Sequence, residues 1–225
     1  MSLILHLETA TTSCSVALAK QGQLLSLKEQ NSPNIHAGMI TLFIQDVMKE
    51  SGYTPQQLDA ISISMGPGSY TGLRIGVSTA KGLCYALDKP LISVNSLLAM
   101  ANGMKTKTDE SVLLCPMIDA RRMEVYSAIY NHQLEEIRET VAEIIDETSF
   151  SSILQDQKIL FFGNGAGKCA TTIIHPNASF INNFENSAAY LIEPALEKFN
   201  KNIFENVAYF EPFYLKDFFV TQKKI

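Results

Sequence analysis

Two glycine-rich segments carry residue types that could act on acyl or phosphate groups. The first is Gly-Pro-Gly-Ser-Tyr-Thr-Gly at residues 66–72. A nucleophile elbow around Ser69 would need glycine at positions 67 and 71, where Pro67 and Thr71 stand, so a serine hydrolase is not supported. The segment precedes a predicted helix, and its backbone amides together with Arg74 could bind an anion. Arg74 could equally pair with a surface carboxylate, and both interpretations stay open.

The second segment is Gly-Asn-Gly-Ala-Gly at residues 163–167. It departs from a phosphate loop, because Phe162 stands where the first glycine belongs and Cys169 replaces the hydroxyl that binds magnesium. It also misses the G-x-G-x-x-G pattern by one residue. Two interpretations remain, a glycine turn between a strand and a helix or a loop at the edge of a nucleotide site.

A third segment is polar and charged: Asp-Ala-Arg-Arg-Met-Glu at residues 119–124, between two predicted strands. Two arginines and two carboxylates at a turn predict a local ion-pair cluster. A catalytic role for the same residues has no further support in the sequence.

The histidines and cysteines give no pattern typical of a metal or redox site. No two of the four histidines lie within five positions of each other, which removes the common helix-borne histidine pair. None of the four cysteines has C-x-x-C spacing, and each stands among apolar or small residues. We therefore expect reduced, mostly buried thiols and no metal.

The composition is that of a globular chain with an acidic balance. The 225 residues are 46% hydrophobic and 18% charged, with a net charge of -5. A chain of this length can bury a real core as one large domain or two small ones. A free-standing nucleic-acid binder normally has a basic excess, because phosphate neutralisation supplies most of the affinity. If this chain serves RNA, a partner is expected to supply the main contacts.

No apolar run is long enough for a membrane span, and the start meets a carboxylate at Glu8 without a basic region before it. We therefore expect a cytoplasmic protein without a membrane segment.

The hydrophobic pattern predicts strands followed by alternating helices and strands in each half of the chain. In the first half, Ser32 and Asn34 offer N-cap chemistry for the first helix, and Gly52 marks its end. The predicted elements of the first half are strands at 3–9, 14–20 and 23–29, a helix at 35–51, a strand at 59–65, a helix at 72–87, a strand at 91–94 and a helix at 96–104.

The second half repeats this order, which predicts a duplicated α/β fold. Its predicted elements are strands at 112–118, 124–130 and 133–141, a helix at about 143–154, a strand at 158–162 and a helix at about 186–200. The polar stretch at 103–110 suggests the boundary between subdomains 1–104 and 105–225. The tail, residues 209–225, is aromatic and then basic, and we expect a packed strand or arm with a frayed end.

The first two helices have unusual surfaces that could pack within this chain or against a partner. The first is apolar on more than one face, which fits either burial under neighbouring strands or a partner surface. In the second, Gly72, Gly76 and Ala80 form a strip without large side chains, although a glycine inside a helix costs about 1 kcal/mol relative to alanine. Tight packing against another helix or a loop, in this chain or another, would offset that cost.

Three motifs together resemble the TsaB (YeaZ) proteins. They are Leu-His-Leu-Glu-Thr at residues 5–9, the glycine-rich span at 66–76, and Asp-Ala-Arg-Arg-Met-Glu-Val-Tyr at 119–126. Pro-Phe-Tyr-Leu-Lys at 212–216 is similar to the closing Pro-x-Tyr-Leu-Arg of that family, with lysine for arginine. The resemblance runs over nearly the whole chain, and the glycine-rich span is its most specific part.

This resemblance implies an actin-like ATPase fold of the sugar-kinase and chaperone superfamily, with two related subdomains that each hold a mixed sheet and helices. It also implies an accessory role in bacterial tRNA threonylcarbamoyl-adenosine synthesis, at the adenosine beside the anticodon. The chain would be a paralogue of the catalytic subunit, TsaD, whose metal is held by a His-x-x-x-His pair. That pair is absent from this sequence, which fits a non-catalytic role without a cofactor and argues against the older glycoprotease label.

The resemblance further implies that the first two helices bind TsaD, that the same face supports a homodimer when TsaD is absent, and that the pair recruits the TsaE ATPase. tRNA would be contacted only indirectly, through the complex, and threonylcarbamoyl-adenylate would come from another enzyme. The expected anchors are Met39, Ile40, Phe43, Ile75 and Leu83, and the full predicted partner-binding set is Ile35, Met39, Ile40, Phe43, Val47, Gly72, Ile75, Gly76, Thr79, Ala80 and Leu83.

The competing hypothesis is a nucleotide-binding or ATP-hydrolysing enzyme of the same fold, while a peptidase is disfavoured by the missing metal pair. Its phosphates would lie between the first strands and the first glycine-rich loop, and its adenosine at the second. The candidate nucleotide- or anion-binding residues are Glu8, Thr9, Ser13, Gly66, Gly68, Arg74, Gly163 and Gly165.

Overall fold

A computed structural model describes residues 2–33 and 35–216, which form two five-stranded sheets covered by helices. The first half contains β1 (Leu3–Glu8), β2 (Ser13–Lys20), β3 (Gln23–Asn31), α1 (His36–Ser51), β4 (Ala60–Gly66), α2 (Tyr70–Leu87), β5 (Leu91–Asn95) and α3 (Ser96–Lys105). The second half contains β6 (Val112–Asp119), β7 (Glu124–Tyr130), β8 (Glu136–Ile144), α4 (Ser151–Leu154), β9 (Lys158–Phe162), α5 (Ala166–Cys169), β10 (Ala178–Ile181) and α6 (Ile192–Asn200). Short 3-10 turns lie at Pro55–Gln57 and Ala188–Leu191.

The two sheets have the same strand order and directions. The first runs β3-β2-β1-β4-β5, and the second runs β8-β7-β6-β9-β10. In each, the first strand of the half pairs antiparallel with the second and parallel with the fourth. The duplicated unit predicted from the sequence is confirmed, and with it the α/β class of two related mixed sheets.

Strand β1 is buried along its whole length, because helices cover both faces of the first sheet. Leu3, Leu5 and Leu7 point to the face that α1 and α2 cover, whereas Ile4 packs on the opposite face with α3 and α6. Side chains alternate along a strand, so Glu8 lies on the second face, away from α1 and α2.

Helix α3 lies between the two sheets. Leu97 and Met100 pack in the core of the second sheet, whereas Ala99 packs in a cluster with strands of the first. In return, Leu191 and Ala195 from the second half close that first-sheet cluster. The predicted subdomain division after residue 104 stays a prediction, since each half lends a helix to the core of the other.

The ends of α1 differ in how well the sequence predicts them. The helix ends at Gly52, which adopts the left-handed conformation (φ +73°) that terminates helices, as expected. At the other end the N-cap residue is Ile35, with no side-chain cap hydrogen bond, so the prediction of Ser32 as N-cap is wrong. Asn34, the other predicted N-cap, lies outside the described residues.

The helix predicted at about 143–154 is mostly absent. Strand β8 continues to Ile144, and the next amide, of Ile145, still donates to the Met123 carbonyl at 2.8 Å. Asp146 then accepts from the Thr148 amide at 2.9 Å, which forms a turn and leaves only four helical residues. β-branched residues before the turn favour the strand.

The sequence pattern also fails to predict β10, and it predicts as one helix a range that the structure divides into a 3-10 turn and an α-helix. β10 is a four-residue edge strand parallel to β9, too short to give a clear pattern. The helix predicted from 186 begins with the 3-10 turn, and the α-helix proper starts at Ile192. Pro194 therefore stands in the first turn, where its missing N–H removes no intrahelical bond.

The C-terminal arm, defined as residues 207–216, packs along α2 without forming a strand. The Phe213 amide donates to the Met65 carbonyl at 2.7 Å, and Lys81 Nζ of α2 donates to the Phe210 carbonyl at 2.9 Å. The expectation of a packed arm is confirmed for these residues. The predicted frayed end, residues 217–225, lies outside the described residues.

Candidate functional site

Helices α1 and α2 lie side by side on one face of the first sheet, and they carry the predicted partner-binding residues. Several of these residues belong to the core of this chain. Ile40 is 2% exposed, Phe43 is 7% exposed, and Val47 and Ala80 are fully buried. A direct contact with a partner would require these four side chains to leave that core.

The remaining apolar members of the predicted set are half-buried and line the outer side of the two helices. On α2, Ile75, Thr79 and Leu83 repeat every four residues and form one stripe. Ile35, just before α1, and Met39, within it, form the matching edge. We call these five residues the α1–α2 rim. Each of its four hydrophobic members rests on the core while keeping part of its surface in solvent.

The strip of small residues on α2 faces the chain's own β1–β2 turn. A methyl group at Gly72 would collide with the Thr9 carbonyl oxygen, and one at Gly76 would collide with Thr9 Oγ1 and meet Ile63 Cδ1 at 2.9 Å. The close approach that the sequence predicts is therefore between helix and loop, and no second helix is needed to explain it. Gly72 and Gly76 therefore face the interior of this chain, and their role as partner contacts stays a prediction.

The Glu8 carboxylate is the most perturbed acid of the first half. Its side chain is buried, and Oε1 accepts hydrogen bonds from the Ala10 amide at 2.6 Å and from Ser64 Oγ at 2.9 Å. Burial raises the pKa of Glu8 to about 7, although these hydrogen bonds pull it in the opposite direction. Glu8 therefore changes charge near neutral pH inside the protein.

A segment from the second half encloses the β1–β2 turn. Ser13 Oγ donates to the Asn186 carbonyl at 2.6 Å, and the Ala188 amide donates to Ser15 Oγ at 2.9 Å. Thr9 Oγ1 is buried without a hydrogen-bond partner among the described residues, whereas the Asn186 side chain lies beside the Glu8 carboxylate. The three predicted phosphate contacts Glu8, Thr9 and Ser13 are at most 3% exposed, so a phosphate would reach them only if this segment moved.

The first glycine-rich loop is held by contacts within the chain. A methyl group at Gly68 would collide with Ala10, and one at Gly66 (φ +114°) would meet the Phe213 carbonyl oxygen at 2.7 Å. The Ser69 amide donates to the Ala10 carbonyl at 2.7 Å. Arg74 is exposed and its guanidinium lies over the Tyr70 ring, 5.1 Å from the centroid. It forms no ion pair with a carboxylate in the described part of the chain, and its predicted role in anion binding stays a prediction.

The second glycine-rich segment is a tight turn against the end of β6. A methyl group at Gly163 (φ +108°) would collide with the Met117 carbonyl, and one at Gly165 would meet the Ile118 carbonyl carbon at 2.9 Å. The Asn164 side chain accepts from the Asp119 amide at 3.0 Å. These contacts favour the glycine-turn interpretation of the two that the sequence leaves open.

The polar turn at 119–124 is an ion-pair cluster, but its cations differ from those predicted. Asp119 pairs with Lys168 and Glu124 pairs with Lys216 of the C-terminal arm. Arg121 and Arg122 are exposed, and neither forms an ion pair within the described part of the chain. The arginines have positive φ, 72° and 49°, and point outward from the turn.

Two open clefts of similar size flank these features. One, of 390 Å³, lies between α2 and the C-terminal arm and is lined by Tyr70, Arg74, Lys81, Glu211 and Tyr214 among others. The other, of 380 Å³, lies between the end of α3 and residues 181–190.

Within the described ranges no three His, Cys, Asp or Glu side chains are grouped as metal ligands, and no helix is both long and apolar enough to cross a membrane.

Sequence reasoning missed the residues that complete these sites from a distance. Ser64 and Asn186 surround Glu8, and Phe213 covers the first glycine-rich loop. Asn186 and Ser187 precede an apolar helical segment, which signals a helix start but not a position beside β1.

Comparison with known proteins identifies the class first. The family model described as TsaD, tRNA N6-adenosine threonylcarbamoyltransferase, matches residues 30–218. The match covers most of the chain, so this is a protein with a TsaD-type domain.

Sequence relatives within that class include TsaB proteins. The TsaB tRNA threonylcarbamoyladenosine biosynthesis protein of Escherichia coli K12 is 39% identical over 127 residues, which is 56% of this chain and 54% of that protein. The Bacillus subtilis 168 protein of the same name is 29% identical over 165 residues, 72% of this chain and 70% of that one. The matched region spans about half of the E. coli protein and 51% of its Haemophilus influenzae counterpart.

Solved structures with a similar fold point to the same proteins. A crystal structure of an uncharacterised Pseudomonas aeruginosa protein with similarity to peptidase YeaZ superposes with a TM-score of 0.86 at 25% identity, covering 96% of this chain and all of that one. YeaZ from the same organism gives a TM-score of 0.83 at 24% identity. The chain belongs to the TsaB (YeaZ) family, as its motifs predict.

Proposed function

We propose that this chain is a non-catalytic partner subunit in the synthesis of N6-threonylcarbamoyl-adenosine beside the anticodon of tRNA. It binds the catalytic paralogue TsaD and supports its transferase activity. The assembled pair recruits the TsaE ATPase and uses threonylcarbamoyl-adenylate made by another enzyme. The main RNA contacts belong to the complex, and the chain acts in the cytoplasm.

The observation that carries this proposal is the α1–α2 rim. Its hydrophobic members are supported from below by the core, so they are already ordered before a partner arrives, which lowers the entropic cost of binding. Leu42, which is 49% exposed on α1, adds to the apolar surface of these helices. A few well-packed anchors carry most of the binding energy in protein interfaces, and these residues are placed to act as such anchors.

Support for a non-catalytic role comes from the condition of the candidate catalytic groups. Glu8, the carboxylate considered for chemistry, is 1% exposed and hydrogen-bonded within the chain. Ser13 is engaged with the Asn186 carbonyl. These groups serve packing between the two halves, which favours the partner role over the nucleotide-hydrolysing alternative.

The test is light scattering coupled to size exclusion, on the chain alone and mixed with TsaD of the same organism. We expect a homodimer alone, and a mixed complex that replaces it because both use the α1–α2 rim. Leu83→Asp and Met39→Asp should each weaken the mixed complex by about 30-fold or more, the effect of losing an interface hot spot.

The matched control is Ile174→Asp, which places the same charge on an apolar residue that is 84% exposed in the second half of the chain. It should leave the complex unchanged. Phe43→Asp is a poor test, because Phe43 is only 7% exposed and its loss would damage the core. Folded Leu83→Asp and Met39→Asp proteins that bind TsaD at full strength would contradict the proposal.

A further inference from the structure

The arginines of this chain are unevenly distributed. The sequence has four, at positions 74, 121, 122 and 138. Arg138 makes a two-point ion pair with Glu143, with Nη1–Oε1 at 2.9 Å and Nη2–Oε2 at 2.6 Å. Arg74, Arg121 and Arg122 are exposed and form no ion pair among the described residues. Three guanidinium groups are therefore available on the surface of a chain whose net charge is -5.

The C-terminal arm joins these arginines into one surface. Tyr214 of the arm packs on Tyr70, with ring centroids 4.9 Å apart. The Arg74 guanidinium also lies over the Tyr70 ring, 5.1 Å from its centroid. Two residues further along, Lys216 pairs with Glu124, at the end of the turn that holds the other two arginines. Two residues of backbone span at most about 7 Å, so Tyr214 and Lys216 connect the two ends of this surface.

Tyrosines are interleaved with the cations along this surface. Tyr126 lies within the electrostatic influence of both Lys216 and Arg121, and Tyr214 within that of Arg74. We call the surface formed by the three arginines with Tyr70, Tyr126, Tyr214 and Lys216 the arginine strip.

Nearby carboxylates do not cancel the charge of the arginine strip. Asp119 and Glu124 are each already paired with a lysine, Lys168 and Lys216. Glu211 lines the cleft beside Arg74 and is the remaining acid in the contacts described for this surface. Three guanidinium charges therefore face one unpaired carboxylate.

The turn that presents Arg121 and Arg122 has an energetic cost. Both residues have positive φ, a conformation that is unfavourable for residues other than glycine, asparagine and aspartate. The arrangement sets two guanidinium groups side by side in solvent, without a partner in the described chain.

We propose that the arginine strip binds the phosphodiester backbone of RNA, with the tyrosine rings as stacking surfaces for unpaired bases. The guanidinium fork matches phosphate oxygens, and aromatic faces between cations are typical of single-stranded nucleic-acid sites. An acidic protein surface would use the same charges but gives no role to the interleaved rings. The inference rests on the proposed function, and it adds direct contacts from this subunit to an RNA held mainly by the complex.

The experiment measures binding of a fluorescently labelled, unmodified tRNA transcript by anisotropy at several salt concentrations. It uses the chain alone and its complex with TsaD. The main variant is Arg121→Asn with Arg122→Asn, because asparagine tolerates positive φ and should preserve the turn. The control is Lys49→Gln with Lys158→Gln, which removes two charges from exposed lysines elsewhere.

Losing two phosphate contacts should reduce the slope of log affinity against log salt by about 1.4–1.8, and losing Arg74 in Arg74→Gln should reduce it by about 0.7–0.9. At low salt the double variant should bind tRNA at least fivefold more weakly than the wild type. The lysine control should retain the wild-type slope and affinity.

Two outcomes would overturn the assignment. A double variant that binds tRNA with unchanged affinity and slope shows that the strip does not contact RNA. A double variant that is folded but no longer joins TsaD shows that the strip is a protein-binding surface. Light scattering on the wild-type mixture distinguishes these two outcomes from a failure of the proposed function. In that failure the wild-type chain and TsaD form no complex. The RNA titration of the chain alone then still tests the arginine strip.

Discussion

The contact between α2 and the β1–β2 turn can be tested with a single methyl group. In Gly72→Ala the new Cβ collides with the Thr9 carbonyl oxygen, a backbone atom that no rotamer change can move. Thr9 directly follows the fully buried strand β1, and its amide donates to Ser64 Oγ at 3.4 Å. Either β1 or the first turn of α2 must therefore shift.

The same helix offers a matched control. Gly82 is exposed, and a methyl group there meets nothing within 4 Å. Gly82→Ala should therefore stabilise the protein by about 1 kcal/mol, the difference in helix propensity. Both substitutions gain the same helix propensity, and overpacking at Gly72 should cost about 1–3 kcal/mol, so the two variants should differ in free energy of unfolding by about 1–3 kcal/mol.

The assay is thermal unfolding followed by far-ultraviolet circular dichroism. For a chain of this size about 1 kcal/mol corresponds to roughly 2–4 °C in Tm, so the two variants should differ by about 2–12 °C. A Gly72→Ala protein as stable as Gly82→Ala would refute the close approach of helix and turn. It would also reopen the interpretation of the small-residue strip as a partner contact.

Two further predictions concern buried ionisable groups. Because burial raises the pKa of Glu8 from 4.5 to about 7, the folded state holds a proton that the unfolded state loses, and the stability from this group falls as pH rises from about 4.5 through 7. Glu8→Gln should remove that loss, so urea unfolding at pH 5 and pH 8 should show a smaller difference than in wild type; an unchanged difference would contradict the assignment. All four cysteines are buried, and burial raises the pKa of the Cys14 and Cys84 thiols to about 11 and 12. The native protein should therefore react with less than one equivalent of Ellman's reagent until urea unfolds it, and rapid reaction of a native thiol would count against this packing.

Most of the fold follows from local patterns in the sequence. Strands with alternating or continuous apolar residues, such as β1 and β9, and helices with a clear end at Gly52 are predicted nearly to the residue. The errors occur where turns compete with helix propensity. After β8 the Asp146 turn ends what the sequence suggests is a helix, and β10 gains its structure only from pairing with β9.

The candidate site is less predictable, because apolar spacing does not reveal what covers a face. Ile40 and Leu83 look alike in the sequence, yet the first is in the core and the second is half-exposed. The small residues at Gly72 and Gly76 predict a close neighbour correctly but not its identity. The arm-to-turn contact between Lys216 and Glu124 joins residues 92 positions apart, and no local pattern carries that information.

The position of α3 between the sheets has a mechanical consequence. One face of this helix packs with the first sheet and another face with the second. The two halves therefore cannot rotate apart without exposing Leu97 or Ala99 to water. Events at the α1–α2 rim and at the arginine strip therefore act on one stiff body. A partner bound at the α1–α2 rim would therefore find the arginine strip at a nearly constant distance and orientation.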